Sequence, residues 1–227
     1  MRGLSWRATP GGGPMRVLAV GAHADDIEIG CGGTILSWVG AGVALDVTWV
    51  VFGAQGPREQ EAHDSAGFFL RGAANQRIVV HLFRDGYFPY DPAIKDRFER
   101  LKTEVDPDVV FTHYRDDRHQ DHRVISDLTW NSFRSHVILE YEVPKYDGDF
   151  GVPNIFVPLS AEICDAKVDG LLTHFRSQAQ KSWFTRDTFT GLARLRGIES
   201  GHPLGLAEAF YGRKLTLSAG PAPGEPT

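Results

Sequence analysis

RVLAVGAHADD, residues 16–26, sets the frame for the whole chain. Its first part, Arg16–Ala22, is a short apolar run with β-branched Val17 and Val20. That composition predicts a buried strand. Four side chains of a different kind follow at once: His23, Ala24, Asp25 and Asp26. Moving outward, Thr34–Ala41 is predicted as a helix that ends at Gly42, and Ala44–Phe52 as the next strand. Arg58–Leu70 reads as an amphipathic helix, Arg77–Phe83 as a strand, Pro92–Glu104 as a helix and Asp108–Thr112 as a strand. His122–Arg134 reads as a helix, and Val137–Tyr141 and Asn154–Val157 as further strands. Ala161–Arg176 is helical, with apolar positions at Ile163, Val168, Leu171, Leu172 and Phe175. This alternation predicts an α/β fold: a Rossmann-like open, mainly parallel sheet with helices on both faces, and a C-terminal extension around the rim of the site. Polar, turn-rich Pro144–Pro153 is expected to lie over the site as a loop.

The chain has 227 residues, 42% of them hydrophobic and 23% charged, which suits a globular core. Residues 1–14 are expected to be a flexible leader, 15–218 a single domain and 219–227 a disordered tail. A net charge of −5 gives no footprint for nucleic acid or an anionic membrane. No apolar window reaches the ~18 residues of a membrane span. Cys31 and Cys164 are the only cysteines, so no disulfide framework is implied and a cytoplasmic location is expected.

Two clusters carry the chemistry. In an open parallel sheet, ligands bind beyond the carboxyl ends of the strands. His23-Ala24-Asp25-Asp26 directly follows one predicted strand, and His119-Gln120-Asp121-His122 follows another by a few residues. A catalytic zinc takes three protein ligands from imidazole nitrogen and carboxylate oxygen, plus water. His23 and Asp26 supply two from one turn, and His122 the third from the second. Asp25 is then left to act as general base. His119 sits opposite, able as imidazolium to stabilise an oxyanion or protonate a leaving amine, with Asp121 orienting it. The same His₂-Asp set also accepts other divalent transition metals. Taken singly, each of these residues also reads as a cap or turn former; Asp25 and Asp26 can simply cap the next helix.

His23-Ala24-Asp25-Asp26 followed by Ile-Glu-Ile-Gly-Cys-Gly-Gly-Thr, together with His119-Gln120-Asp121-His122, resembles the LmbE-like, or PIG-L, N-deacetylase family. The likeness spans about Arg16 to Lys214, with Ala24 where the family has proline. It implies zinc-dependent hydrolysis of an N-acyl, typically N-acetyl, group from an amino sugar or glycoside. It further implies His23, Asp26 and His122 as zinc ligands, Asp25 as base and His119 as electrostatic partner. Arg58 and Asp85 are implied as contacts to sugar hydroxyls.

Fainter signals surround these. Gly30-Cys31-Gly32-Gly33 lacks a phosphate-loop spacing, and its glycines read as close packing. Cys31 is a candidate fourth ligand or a core residue. Glu208, in Leu206-Ala207-Glu208-Ala209-Phe210, faces the site or occupies an ordinary helix position. His113 and Tyr114 are candidates for the pocket wall, and Tyr141, Tyr146, Phe150 and Trp183 for sugar stacking or packing. Lys145, Tyr146 and Asp147 can reach a larger substrate. The competing readings are a nucleotide-binding protein, disfavoured because the fingerprint fails, a catalytically silent binding protein on the same scaffold, and an amidase acting on a larger amide such as a thiol conjugate. The expected partner is a small N-acyl amino sugar, with no nucleic acid and no membrane span.

Overall fold

Met15–His23 (β1) is buried at every position except Arg16, as a strand covered on both faces must be. In the computed structural model, which describes residues 13–216, β1 pairs in parallel with β2 (Leu45–Gly53) on one side and β4 (Val109–His113) on the other. β2 continues in parallel to β3 (Asn75–Val80) at the sheet edge, and β4 to β5 (Val137–Tyr141). The sheet closes with β7 (Ala207–Gly212), antiparallel to β5 and to β6 (Ile155–Pro158). The strand order is β3-β2-β1-β4-β5-β7-β6. The chain leaves β1 for β2 on one side and later returns to β4 on the other. The switch point therefore lies between the carboxyl ends of β1 and β4, where His23 and His113 end their strands.

Six helices cover the two faces. α1 (Asp26–Gly40), α2 (Arg58–Phe69), α5 (Ala161–His174) and α6 (Arg186–Ser200) form one layer, and α3 (Pro92–Glu104) and α4 (Gln120–Phe133) the other. Trp49, Phe69, Phe111, Tyr141 and Phe175 are fully buried beneath the first layer; Leu18, Phe52 and Phe98 are fully buried beneath the second. Each such side chain contributes about 1.5–3 kcal/mol relative to exposure. No helix among the described residues is long and apolar enough to cross a membrane.

Three differences from the sequence reading have physical causes. α1 begins at Asp26, eight residues before the predicted start at Thr34, so the Gly30–Gly33 run is helical. Glycine is a poor helix former, but an added Cβ on Gly30 would lie 2.2 Å from the Tyr141 ring. Close packing thus decides against local propensity, and the glycines act as packing residues. Ala207–Gly212 is a strand although its Ala and Glu favour helix; pairing to β5 and β6 overrides propensity. α6 had no counterpart in the sequence pattern. It buries only a narrow stripe at Phe189, Ala193, Arg196 and Gly197, while Leu195 and Ile198 face outward. The leader assigned to 1–14, apart from residues 13 and 14, and the tail at 219–227 lie outside the described residues.

Candidate metal centre

The turn from β1 into α1 places His23 and Asp26 on the crevice. Asp25 holds the junction at φ 113°, the one non-glycine residue with positive φ among the described residues. A carboxylate-bearing residue in that region is strained, and such strain concentrates at functional sites. The β4–α4 connection brings the second cluster opposite. Nδ1 of His23 lies 3.3 Å from Nε2 of His122. The Asp26 carboxylate offers one oxygen to each, Oδ2 at 3.5 Å from His23 Nδ1 and Oδ1 at 3.5 Å from His122 Nε2. A tetrahedral zinc with bonds near 2.0–2.1 Å separates its ligand atoms by about 3.3–3.4 Å. The three residues fall in two overlapping groups whose ligand atoms are close enough to hold a metal ion, one of His23, His119 and His122 and the other of Asp26, His113 and His122. His119 stands beside them, its ring centroid 4.9 Å from His23 and 4.6 Å from His122.

The hydrogen bonds on the far side of each ring set the tautomers. His122 donates from Nδ1 to Asp117 Oδ2 at 2.9 Å, which leaves the Nε2 lone pair facing inward. His23 directs Nε2 at Asp121 Oδ2 and Asp85 Oδ1, both at 3.1 Å, which leaves Nδ1 facing inward. A carboxylate behind each metal-binding imidazole is the usual orienting arrangement. Burial, followed by neighbouring His113, lowers the His122 pKa to about 3, so the ring is neutral. Burial also disfavours a charged His23. Hydrogen bonds to Asp121, Asp26 and Asp85 outweigh it and hold the His23 pKa well above the ordinary value.

Asp25 is buried, and burial raises its pKa to about 6 against the opposing charge of Arg58. Arg58 Nη2 lies 3.0 Å from Asp25 Oδ2 and also donates to the Ala24 carbonyl. His119 accepts the Asp121 backbone N–H at Nδ1, 3.3 Å away, and so carries its own proton on Nε2. Burial lowers its pKa.

The eight expected site residues converge on one crevice, with some partners exchanged. The Asp121 carboxylate turns to His23 rather than to His119; it also accepts the backbone N–H groups of Gly86 (2.6 Å) and Phe88 (3.2 Å). Arg58 is engaged with Asp25 and Ala24, where sequence had assigned it to sugar. Asp85 remains exposed at 65% and rests against His23. His113 is fully buried, stacked on His122 at 3.9 Å with Nε2 3.2 Å from Asp26 Oδ2, and does not line an open wall. Tyr114 is half-buried and stacks on Tyr211. Tyr141 is core, donating to the Val20 carbonyl at 2.7 Å; Tyr146 and Phe150 are exposed, and Trp183 is half-buried. Cys31 is buried and belongs to no cluster of side chains able to hold a metal among the described residues. Glu208 neither faces the crevice nor sits on a helix. It accepts the backbone N–H groups of Gly33 (2.8 Å) and Thr34 (2.6 Å) and pairs with Lys167 at 2.6 Å, fixing α1 from behind.

One residue that contacts the cluster, Asp117, escaped the sequence reading, and Lys145, expected to reach a larger substrate, takes another partner. Asp117 orients His122, accepts the His119 backbone N–H at 2.7 Å and pairs with Lys145 at 2.8 Å. Lys145 therefore points inward, tying the 144–153 loop to Asp117, while Tyr146 and Asp147 stay exposed. The only signal for Asp117 was an acid five residues before His122.

The family model for GlcNAc-PI de-N-acetylase (PIG-L) matches residues 18–133, which include both clusters. An uncharacterized deacetylase of Escherichia coli (strain K12), YaiS, is 27% identical over 166 residues, covering 70% of this chain and 89% of that protein. Among solved structures, N,N′-diacetylchitobiose deacetylase from Pyrococcus horikoshii shares the fold at TM-score 0.64 and 23% identity, over 86% of this chain and 82% of that one. The 4-carboxy-2-hydroxymuconate hydratase GalB from Pseudomonas putida shares it at TM-score 0.69 and 17% identity, over 92% and 100%. The fold is thus common to hydrolytic and hydrating enzymes, and the site must decide between them.

Proposed function

The chain belongs to the PIG-L (GlcNAc-PI de-N-acetylase) family, and from that premise we propose that it is a zinc-dependent hydrolase that removes an acyl group, acetyl in the first instance, from the nitrogen of an amino sugar. One observation carries the reading. Nδ1 of His23 and Nε2 of His122 stand 3.3 Å apart, each 3.5 Å from a different oxygen of Asp26, beside the buried carboxylate of Asp25.

A divalent ion held by His23, Asp26 and His122 brings the pKa of water toward neutrality and polarises a carbonyl. The remaining work falls to side chains. Asp25 accepts a proton from the attacking water and passes it to the leaving nitrogen, so that the amide C–N bond breaks to carboxylate and amine. Arg58 holds the Asp25 carboxylate in place. His119 donates from Nε2 to the carbonyl oxygen as negative charge develops there. The exposed Asp85 has room to accept a sugar hydroxyl at the rim. Both free cysteines are buried, consistent with a reducing compartment such as the cytoplasm.

The test is a screen for acetate and new primary amine across N-acetylated glycosides, sugar nucleotides and pseudo-oligosaccharides, run with defined metals. Turnover of an N-acetyl sugar is the expected result. Turnover of only a larger amide would correct the substrate. Inertness toward all amides, with metal bound, would leave the silent scaffold or a hydration reaction in its place.

A further inference from the structure

Away from the crevice, α3 and the edge strand β3 enclose a cavity of about 120 Å³ with a basic wall and an apolar floor. The arrangement follows from sequence periodicity. Arg77, Val79 and His81 alternate and share one face of the strand and its extension, while Arg97, Arg100, Leu101 and Glu104 lie on one face of α3 at helical spacing. Val50 and Phe52 complete the floor, with Phe52 stacked on Phe98 at 5.0 Å and 12°. One water needs about 10–15 Å³ of such volume, so the cavity takes a group of several heavy atoms.

The charges in this wall are unbalanced. Glu104 is engaged by Arg77 at 2.5 Å. Glu99 is engaged by Lys95 and Lys102, and Asp96, beside Arg97 and one turn before Arg100, forms no ion pair within 4.0 Å among the described residues. Arg97 and Arg100 therefore have no carboxylate partner among the described residues, although they sit at repelling i, i+3 positions. Burial, and then the charge of Arg97, lowers the His81 pKa, so the imidazole is neutral and can hydrogen-bond in either sense. Such a concentration of cations runs against the chain's net charge of −5.

We propose that this cavity is a second ligand site, for a small organic anion whose carboxylate or phosphate is held by Arg97 and Arg100 and whose apolar body rests on half-buried Val79 and the edge of Leu101. Guanidinium groups suit both head groups through charge-assisted, bidentate hydrogen bonds. The site does not depend on the catalytic reading.

Isothermal titration of the metal-loaded full chain with inorganic phosphate, phenyl phosphate and benzoate tests it. The expected result is that phenyl phosphate or benzoate binds once per chain and more tightly than inorganic phosphate. Binding should weaken by at least about tenfold in Arg97→Gln/Arg100→Gln. Both arginines are exposed, so the variant should melt as wild type does. Absence of binding by all three anions would overturn the proposal. So would equal binding to the double variant, or inorganic phosphate binding as tightly as phenyl phosphate. A heat that disappears in His122→Ala but persists in the double variant would place the anion on the catalytic metal and overturn it as well.

Discussion

Asp117→Asn separates the orientation of a metal ligand from the ligand itself. The Asp117 carboxylate uses both oxygens: Oδ1 accepts the His119 backbone N–H at 2.7 Å, and Oδ2 accepts His122 Nδ1 at 2.9 Å and Lys145 Nζ at 2.8 Å. An asparagine of the same shape has one oxygen and two N–H donors. It can satisfy His119 or His122, and it presents a donor to the other. Lys145 keeps Asp149 at 2.7 Å, so no buried cation is orphaned. The variant should fold, and the loss should concentrate on His122. Removing the partner behind a metal-binding histidine typically weakens affinity about 10–100-fold, or roughly 1.4–2.7 kcal/mol. That range matches the net worth of one hydrogen bond to a charged group, about 1.5–3 kcal/mol. Competition for zinc against a chromophoric chelator at neutral pH reads the effect directly, with circular dichroism as the folding check. A zinc affinity within about threefold of wild type in the folded variant would show that Asp117 does not act through His122.

The other predictions concern neighbouring groups. Asp25→Asn should keep its metal and lose about 10²–10⁴-fold in turnover, whereas Asp26→Asn should lose metal affinity; equal metal loss in both, by elemental analysis, would mean the adjacent acids have been assigned the wrong way round. His119→Ala should bind zinc normally and lower kcat with little change in KM, as fits a donor used only in the transition state; a raised KM at unchanged kcat would place it in substrate binding instead. Glu28 is fully buried, has no hydrogen-bond partner for either oxygen, and its pKa is raised to about 8, first by burial. Its folded-state pKa exceeds the unfolded one, so its protonated form costs little at low pH and stability drains away as pH rises from about 4.5 to 8. Glu28→Gln should therefore match wild type in denaturant stability near pH 5 and exceed it above pH 8, by on the order of 2–3 kcal/mol; a gain that does not vary with pH would refute the titration.

Much of this structure can be read in the chain because local and global signals agree. α3 begins at Pro92 because Asp91 caps it, accepting the Ala93 N–H at 3.0 Å, and Pro92 fills the first position. β1 carries a continuous apolar run from Val17 to Ala22, and β5 is apolar at every position but Glu140. Legibility fails where packing overrules propensity, as in the glycines of α1 and the Ala-Glu-Ala of β7. At the site, the proposed ligands are legible because His23 and Asp26 share a turn and His122 ends a distinctive cluster. The pairing behind them is not. Asp116, Asp117 and Asp121 are alike in sequence, and only the path of the β4–α4 connection decides that Asp117 meets His122 and Asp121 meets His23. Arg58 is a similar case, since its reach to Asp25 depends on how α2 docks beside α1.

The most direct test of metal-dependent deacetylation is a zinc titration of chelator-stripped protein, following acetate release from the best N-acetyl substrate of the screen. Activity should start near zero, rise linearly and reach its plateau at about one zinc per chain, the stoichiometry of a single His₂-Asp site. Undiminished acetate release from protein shown by elemental analysis to hold no metal would contradict it.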